Sequence, residues 1–250
     1  MSVLLIRLSG PMQSWGLSSR FTERDTAREP TKSGVIGLLC AALGKPREEK
    51  PGDGHPLLAE LAALRMGVRV DHEGAVRRDF HTAGGGKWPG RKDYGVAKAG
   101  GAKGDTVISN RYYLTDAVFL VGLEGDTDLL RRLEKALRSP VWPLFLGRKS
   151  FPPGEPLLLP CGFRETGSLE EALHAFPWLR RPRPNEQAPD YLRLVIECGF
   201  CEAGETRQDV PLSFESHRRA LGDAFGVRHV REDRLDPNPL PESVEVPPCT

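Results

Sequence analysis

An α+β fold is predicted by the order in which apolar patterns change period along this 250-residue chain. Residues 3–8 are a short apolar run closed by Ser9-Gly10-Pro11, the mark of a buried strand. Residues 33–43 carry Val35, Ile36, Leu38, Leu39, Ala42 and Leu43 at helical spacing, and Gly44 followed by Pro46 stops that helix. A strand at about 66–70, a second at 116–123 and a helix at 127–137 continue the pattern, with Asp126 as N-cap and Leu129, Leu130, Leu133 and Leu137 as its stripe. Strand, helix, strand, then strand, helix, strand is the order of a ferredoxin-like unit.

The remaining elements fit around this core. Residues 57–64 read as a short helix, and residues 77–81 and 107–114 as two strand-like arms. Ser168-Leu169-Glu170-Glu171 is a capping-box pattern that opens a helix running to about residue 176. The Pro- and Arg-rich segment 180–189 reads as an exposed connection, and residues 191–198 as the last clear strand. An irregular C-terminal extension is expected over about 200–250, within one domain spanning 1–250.

Composition narrows the class. Hydrophobic residues make up 39% of the chain, while 27 Gly and 22 Pro signal many turns and long loops. No run approaches the ~18 apolar residues of a membrane span, and the apolar start is too short for a secretory signal. Five cysteines without an export signal argue against a disulfide framework. Cys198-Gly199-Phe200-Cys201 has metal-type spacing but no second pair, so ordinary strand thiols are expected and no cofactor is implied. The reading is a cytoplasmic protein.

A net charge of +1 gives no global sign of a nucleic-acid binder, but the distribution does. Between residues 80 and 114, Lys87, Arg91, Lys92, Lys98, Lys103 and Arg111 face only Asp93 and Asp105, a local excess of four. Trp88, Tyr94, Tyr112 and Tyr113 are interleaved with them. Cations neutralise phosphates and aromatic faces stack bases. The same composition also suits a solvated hairpin tip, so both readings stand at this point. Gly85 to Lys92 mimics a phosphate loop, yet Arg91 stands where Lys is needed and Pro89 removes a donor, so nucleotide hydrolysis is rejected. His217-Arg218-Arg219 and Arg228-His229-Val230-Arg231 form a second basic cluster; interspersed acids make a salt-bridged surface the default, with contact to RNA or an adjoining subunit as the minority reading.

Three separated blocks are the most specific feature. They are Arg7-Leu8-Ser9-Gly10-Pro11-Met12-Gln13-Ser14-Trp15-Gly16, then Pro30-Thr31-Lys32-Ser33-Gly34-Val35-Ile36-Gly37-Leu38-Leu39, then Leu146-Gly147-Arg148-Lys149-Ser150. The first two flank a connection far longer than the 2–6 residues usual between strand and helix, and it holds Arg20, Arg24 and Arg28. Helix N-termini and Gly-opened basic turns are natural anion sites. In this order the blocks resemble the CasD family of type I-E CRISPR Cascade subunits, within the RAMP superfamily of CRISPR RNA-binding proteins. That resemblance implies a ferredoxin-like (RRM-like) fold with a β-hairpin thumb inserted at about 80–114. It implies a non-catalytic subunit that caps the 5′ handle of mature CRISPR RNA. Its partners would be the RNA, a Cascade backbone subunit and the large subunit, with no membrane and with target DNA at most indirectly.

The RNA-binding residues that follow are Gln13, Trp15, Lys32, Ser33, His81, Lys87, Arg91, Lys92, Tyr94, Arg111, Arg148 and Lys149. The central strands lack stacking aromatics apart from Phe119, so loops and the thumb, rather than a sheet face, should carry RNA. The alternative is a metal-independent endoribonuclease drawing on His81, Tyr94, His217, Lys87 and Lys92 for acid–base work.

Overall fold

The N-terminal apolar run forms strand β1 (Ser2–Ser9), buried on both faces because a layer of helix covers each side of its sheet. The computed structural model describes residues 1–16, 22–50, 52–84, 95–96, 106–179, 189–200, 203–215 and 224–237. Its main sheet also contains β4 (Arg65–His72), β7 (Val118–Gly125), β8 (Leu158–Arg164), β9 (Leu192–Cys198), β10 (Glu205–Pro211) and β11 (Phe225–Leu235). The seven strands lie in the order β10-β11-β9-β4-β7-β1-β8, with every pair antiparallel. The architecture is a mixed α and β fold on antiparallel sheets.

Helices α1 (Lys32–Leu43), α2 (Leu58–Ala63) and α3 (Thr127–Arg138) cover one face. Leu4, Ile6, Val68, Phe119 and Val121 meet Ile36, Leu39, Leu61, Leu130 and Leu133 there in one apolar cluster. Helix α4 (Leu169–Ala175) covers the other face, over Val3, Leu5, Leu120 and Ile196. Its seat is flat because Gly67 of β4 and Gly122 of β7 stand opposite each other in register. A Cβ on either would lie 2.7 Å or less from Leu173 or Leu169. Arg69, fully buried on this side, donates to Leu173 O and Phe176 O at 2.6 Å and forks onto Asp71 at 2.7 and 2.8 Å. That buried cation caps the C-terminal end of α4 and ties it to the sheet.

The caps expected at Asp126 and Ser168 are present, each side chain accepting from the backbone three residues on. One expectation needs correction, and one strand was not foreseen. The region after residue 200 is not irregular throughout: β10 and β11 extend the sheet. Their sequences are dominated by Glu, Arg, Gln and Asp, because ion pairs such as Arg228–Asp209 hold them alongside a few buried apolar residues, Val230 and Leu235 among them. Strand β8 was also unmarked in the sequence, being an edge strand broken by Pro160, by Cys161 at φ +54° and by a register shift against β1.

A second, smaller sheet stands off this body. Strands β5 (Ala75–Ala83) and β6 (Val107–Thr115) pair over nine residues as the arms of a hairpin. Short strands β2 (Met12–Gln13) and β3 (Glu23–Arg24) add to the other edge of β6, β3 running parallel to it. The long connection after β1 is thereby stitched to the hairpin base.

Candidate nucleic-acid interface

The three sequence blocks converge in space. Ser14 N donates to Leu146 O at 3.1 Å, joining the first block to the third. Gly147 sits at φ +90° with a virtual Cβ 1.8 Å from Ser14 O, so no other residue fits that turn. Gly34 meets the Trp15 ring in the same way, its Cβ position 2.8 Å from Trp15 Cε3, joining the second block to the first. Glycines in the second and third blocks thus permit the close approach.

Burial divides the expected contact residues into two sets. Gln13 is fully buried and donates from Nε2 to Leu8 O at 3.2 Å and Ala117 O at 2.7 Å. Its Oε1 accepts from Trp15 Nε1 at 3.2 Å, and Trp15 itself is 1% exposed. Lys32 is 1% exposed and donates from Nζ to both Glu197 oxygens at 2.9 and 2.8 Å. These three side chains therefore position the site instead of offering themselves to a partner.

The helix N-terminus needs the same correction. The backbone N–H of Lys32 donates to Asp209 Oδ2 at 2.8 Å, and Asp209 is held by Arg228 Nε and Nη2 at 2.6 and 2.8 Å. The anion expected at the start of α1 is thus a carboxylate of the chain itself. Thr31 is the N-cap, accepting from Gly34 N at 3.3 Å. Burial pushes the Lys32 ammonium below the ordinary lysine range, partly offset by Glu197. The basic C-terminal cluster is internally paired where described: Arg228 with Asp209, and Arg231 with Asp233 and Glu170. His217, Arg218 and Arg219 lie outside the described residues.

Arg111 and Arg148 belong to the accessible set, and a third arginine joins them. The parallel register of β3 on β6 sets Arg24 beside Arg111. Arg148 Nη2 donates to Arg24 O at 3.1 Å, and its guanidinium lies 5.6 Å from the Phe151 ring centroid. Burial first, then the Arg111 and Arg24 charges, hold Arg148 below the ordinary arginine range, with Asp79 and Asp25 partly offsetting them. A half-buried cation crowded by two others is a site that gains from an incoming anion. Sequence reading missed Arg24 as a partner because only the β3–β6 register brings it there.

The hairpin carries two different faces. Opposed pairs Arg77/Tyr113, Asp79/Arg111 and His81/Ser109 make one charged face, the one turned to Arg148. Arg78/Tyr112, Phe80/Asn110 and Thr82/Ile108 make the other, on which Phe80 is 60% and Ile108 47% exposed. His81 Nδ1 is 3.7 Å from Asp79 Oδ2. Lys149 is exposed and Ser33 partly so. Lys87, Arg91, Lys92 and Tyr94 lie outside the described residues.

Residues 3–231 match the model of the family described as CRISPR-associated protein (Cas_Cas5). The chain belongs to that family. It is 37% identical over 169 residues to the CRISPR system Cascade subunit CasD of Escherichia coli (strain K12), covering 63% of this chain and 70% of the relative. A crystal structure described as a Cas protein is similar at TM-score 0.69 and 43% identity, over 96% of this chain and 98% of that one. A chain from a CRISPR RNA-guided surveillance complex is similar at TM-score 0.72 and 34% identity, over 94% of this chain and 90% of that one. No helix among the described residues is long and apolar enough to cross a membrane.

Proposed function

We propose that this family member is a non-catalytic RNA-binding subunit of a Cascade surveillance complex and caps the 5′ handle of mature CRISPR RNA. The observation that carries this reading is the convergence of three separated sequence blocks beside Arg24, Arg111 and Arg148, a cluster of three cations that Asp79 and Asp25 only partly offset. The family match and the likeness to a chain of an RNA-guided complex supply the context. The charged hairpin face, with His81, Arg111 and Lys149 near Arg148, takes the RNA backbone. The opposite face, on which Phe80 and Ile108 are exposed, takes the neighbouring backbone subunit, since exposed aromatic and aliphatic side chains on a protruding ribbon gain most from burial. Lys87, Arg91, Lys92 and Tyr94 would extend the RNA contact towards the hairpin tip, and the large subunit would dock on another surface.

The strand order β8-β1-β7-β4, with α1 and α3 in the crossovers, supports a ferredoxin-like RAMP unit. Residues 1–250 are read as one domain, with the hairpin as its thumb. RNA contact is confined to the loops and thumb because helices cover both faces of the central strands. Retention of CRISPR RNA by the reconstituted complex at graded salt tests the reading. Each phosphate neutralised on a single strand contributes about −0.7 to the slope of log K against log salt. Replacing Arg24, Arg111 and Arg148 together with Gln should flatten that slope by about two units. An unchanged slope removes the cluster from the RNA path.

A further inference from the structure

Three segments far apart in the chain meet at one buried guanidinium outside the arginine cluster. Arg193 of β9 stands opposite Val70 of β4 and Arg234 of β11 in the main sheet. Its Nε and Nη2 donate to Glu73 Oε1 and Oε2 at 2.7 and 3.2 Å. Nη2 also donates to Glu29 Oε2 at 3.0 Å, and Nη1 to Glu232 Oε2 at 3.1 Å. Glu29 is itself buried, and Arg207 of β10 donates to its other oxygen.

Each carboxylate stands on a different part of the molecule. Glu29 lies in the connection between β3, which carries Arg24, and the N-cap of α1. Glu73 and Gly74 make the turn from β4 into β5, the root of the hairpin, and Arg28 Nη2 lies 3.6 Å from Glu73 Oε2. Glu232 belongs to β11. The hairpin root is tight: at φ +69°, a Cβ on Gly74 would fall 2.3 Å from Thr115 O at the end of the second arm. His72 Nδ1 lies 2.7 Å from Asp116 O on the same side. A shift of Glu73 is therefore passed to both arms. Strand β6, which carries Arg111, is also paired with β2 and β3, whereas β5 pairs with β6 alone among the described residues.

We propose that Arg193 is a positioning residue for RNA: it holds the Glu29 connection and the Glu73 hairpin root at a fixed spacing against the main sheet, and so sets Arg24 and Arg111 in place beside Arg148. The inference rests on the capping function proposed above. A guanidinium presents its donors in one rigid plane, where an ammonium is a rotatable point charge, so Arg193 fixes geometry as well as charge. Buried ion pairs add little stability over apolar side chains of the same shape, and fixing register is their best-attested use. Here the register is that of the hairpin against the body. A purely structural role would treat the three carboxylates alike. Glu73 and Glu232 separate the two roles, because their side chains are 45% and 50% exposed and bond the same guanidinium, yet one leads to the hairpin and the other to β11.

The test titrates CRISPR RNA into the reconstituted complex carrying wild type, Arg193→Lys, Glu73→Gln, Glu232→Gln or the triple Arg→Gln variant, with the urea midpoint of each chain measured alongside. Glu73→Gln should weaken RNA about tenfold, within the range of coupling between linked residues, and Arg193→Lys at least as much. Glu232→Gln should not weaken it. Loss of a carboxylate would by charge alone tighten binding of a polyanion, so the sign of the Glu73→Gln effect separates position from charge. Added to the triple variant, Glu73→Gln should weaken RNA no further, because it acts through those arginines. Equal losses in Glu73→Gln and Glu232→Gln that follow their urea midpoints would reduce Arg193 to a structural role and overturn the inference. Wild-type affinity in Glu73→Gln, or a further tenfold loss in the triple background, also overturns it, and leaves the capping reading standing if the triple variant alone binds weakly. Full RNA binding by the triple variant instead overturns the capping reading. The two glutamine variants alter half-exposed side chains, so the comparison stays decisive should Arg193→Lys fail to fold.

Discussion

Gly147 and Arg148 are adjacent, yet they do opposite kinds of work. Gly147 is fixed by a carbonyl at the place where a Cβ would stand and by φ +90°. The sequence reading treats the Gly147-Arg148-Lys149 turn as a single phosphate-binding device, but substitution at Gly147 disrupts the chain itself. Gly147→Ala should cost at least about 2 kcal/mol, from strain alone, in denaturant unfolding. Arg148→Ala removes one hydrogen bond and a ring contact but also relieves crowding by Arg24 and Arg111, so its stability should change by under about 1 kcal/mol. RNA retention should fall in both variants, and only Arg148→Ala should fall without loss of fold. Arg69 shows the cost of removing a buried cation. Arg69→Met leaves Asp71, 2% exposed, without its partner, and should destabilise by about 3–5 kcal/mol by equilibrium unfolding. A loss under 1 kcal/mol would mean that Asp71 is already satisfied by Leu179 N.

At the scale of elements, α4 depends on a bare patch of sheet. Gly122→Ala would put a methyl group 2.5 Å from Leu169 Cδ1, 3.3 Å from Leu5 Cδ2 and 3.4 Å from Leu173 Cδ2, so three core leucines would have to give way. Overpacking of this kind costs about 1–3 kcal/mol, and the lifted helix should expose the amides of α4 to hydrogen exchange before those of α1. Uniform exchange across both helices would show that α4 is not separately seated. Most of this level is legible in the sequence. Both interior caps, the stop at Gly44 and the strand cores follow from spacing and cap chemistry over a few residues. Strands β10 and β11 are not legible, since their stability comes from partners such as Arg228 and Asp209, 19 residues apart and unmarked by any periodicity.

Over the whole molecule, the C-terminal strands are joined to the N-terminal helix through charge. Burial raises the Asp209 carboxyl, but the paired hydrogen bonds from Arg228, its charge and the Lys32 N–H together hold it below the usual aspartate range. Glu170, bonded to Arg65, is likewise lowered. A carboxylate lowered on folding adds stability that is fully present above its unfolded value, about 3.9 for Asp and 4.3 for Glu, and is lost as pH falls through the folded value. Unfolding free energy should therefore be level between about pH 5 and 7 and decline below about pH 4. Asp209→Asn should lower stability at neutral pH and make that acid limb shallower. An acid limb of unchanged steepness in Asp209→Asn would place the titrating groups elsewhere.

The sequence by itself determined the α and β order, the caps, the family blocks and the excess of cations around the hairpin, because each depends on neighbours within a turn or a strand. Only the tertiary structure decided which of those residues face outward. Gln13, Trp15 and Lys32 look like contact residues in the sequence, but the close approach of the three blocks buries them, and Asp209 fills the helix N-terminus from 177 residues away. Arg24 joins Arg111 and Arg148 through strand register alone, and register is a long-range property that no local pattern encodes.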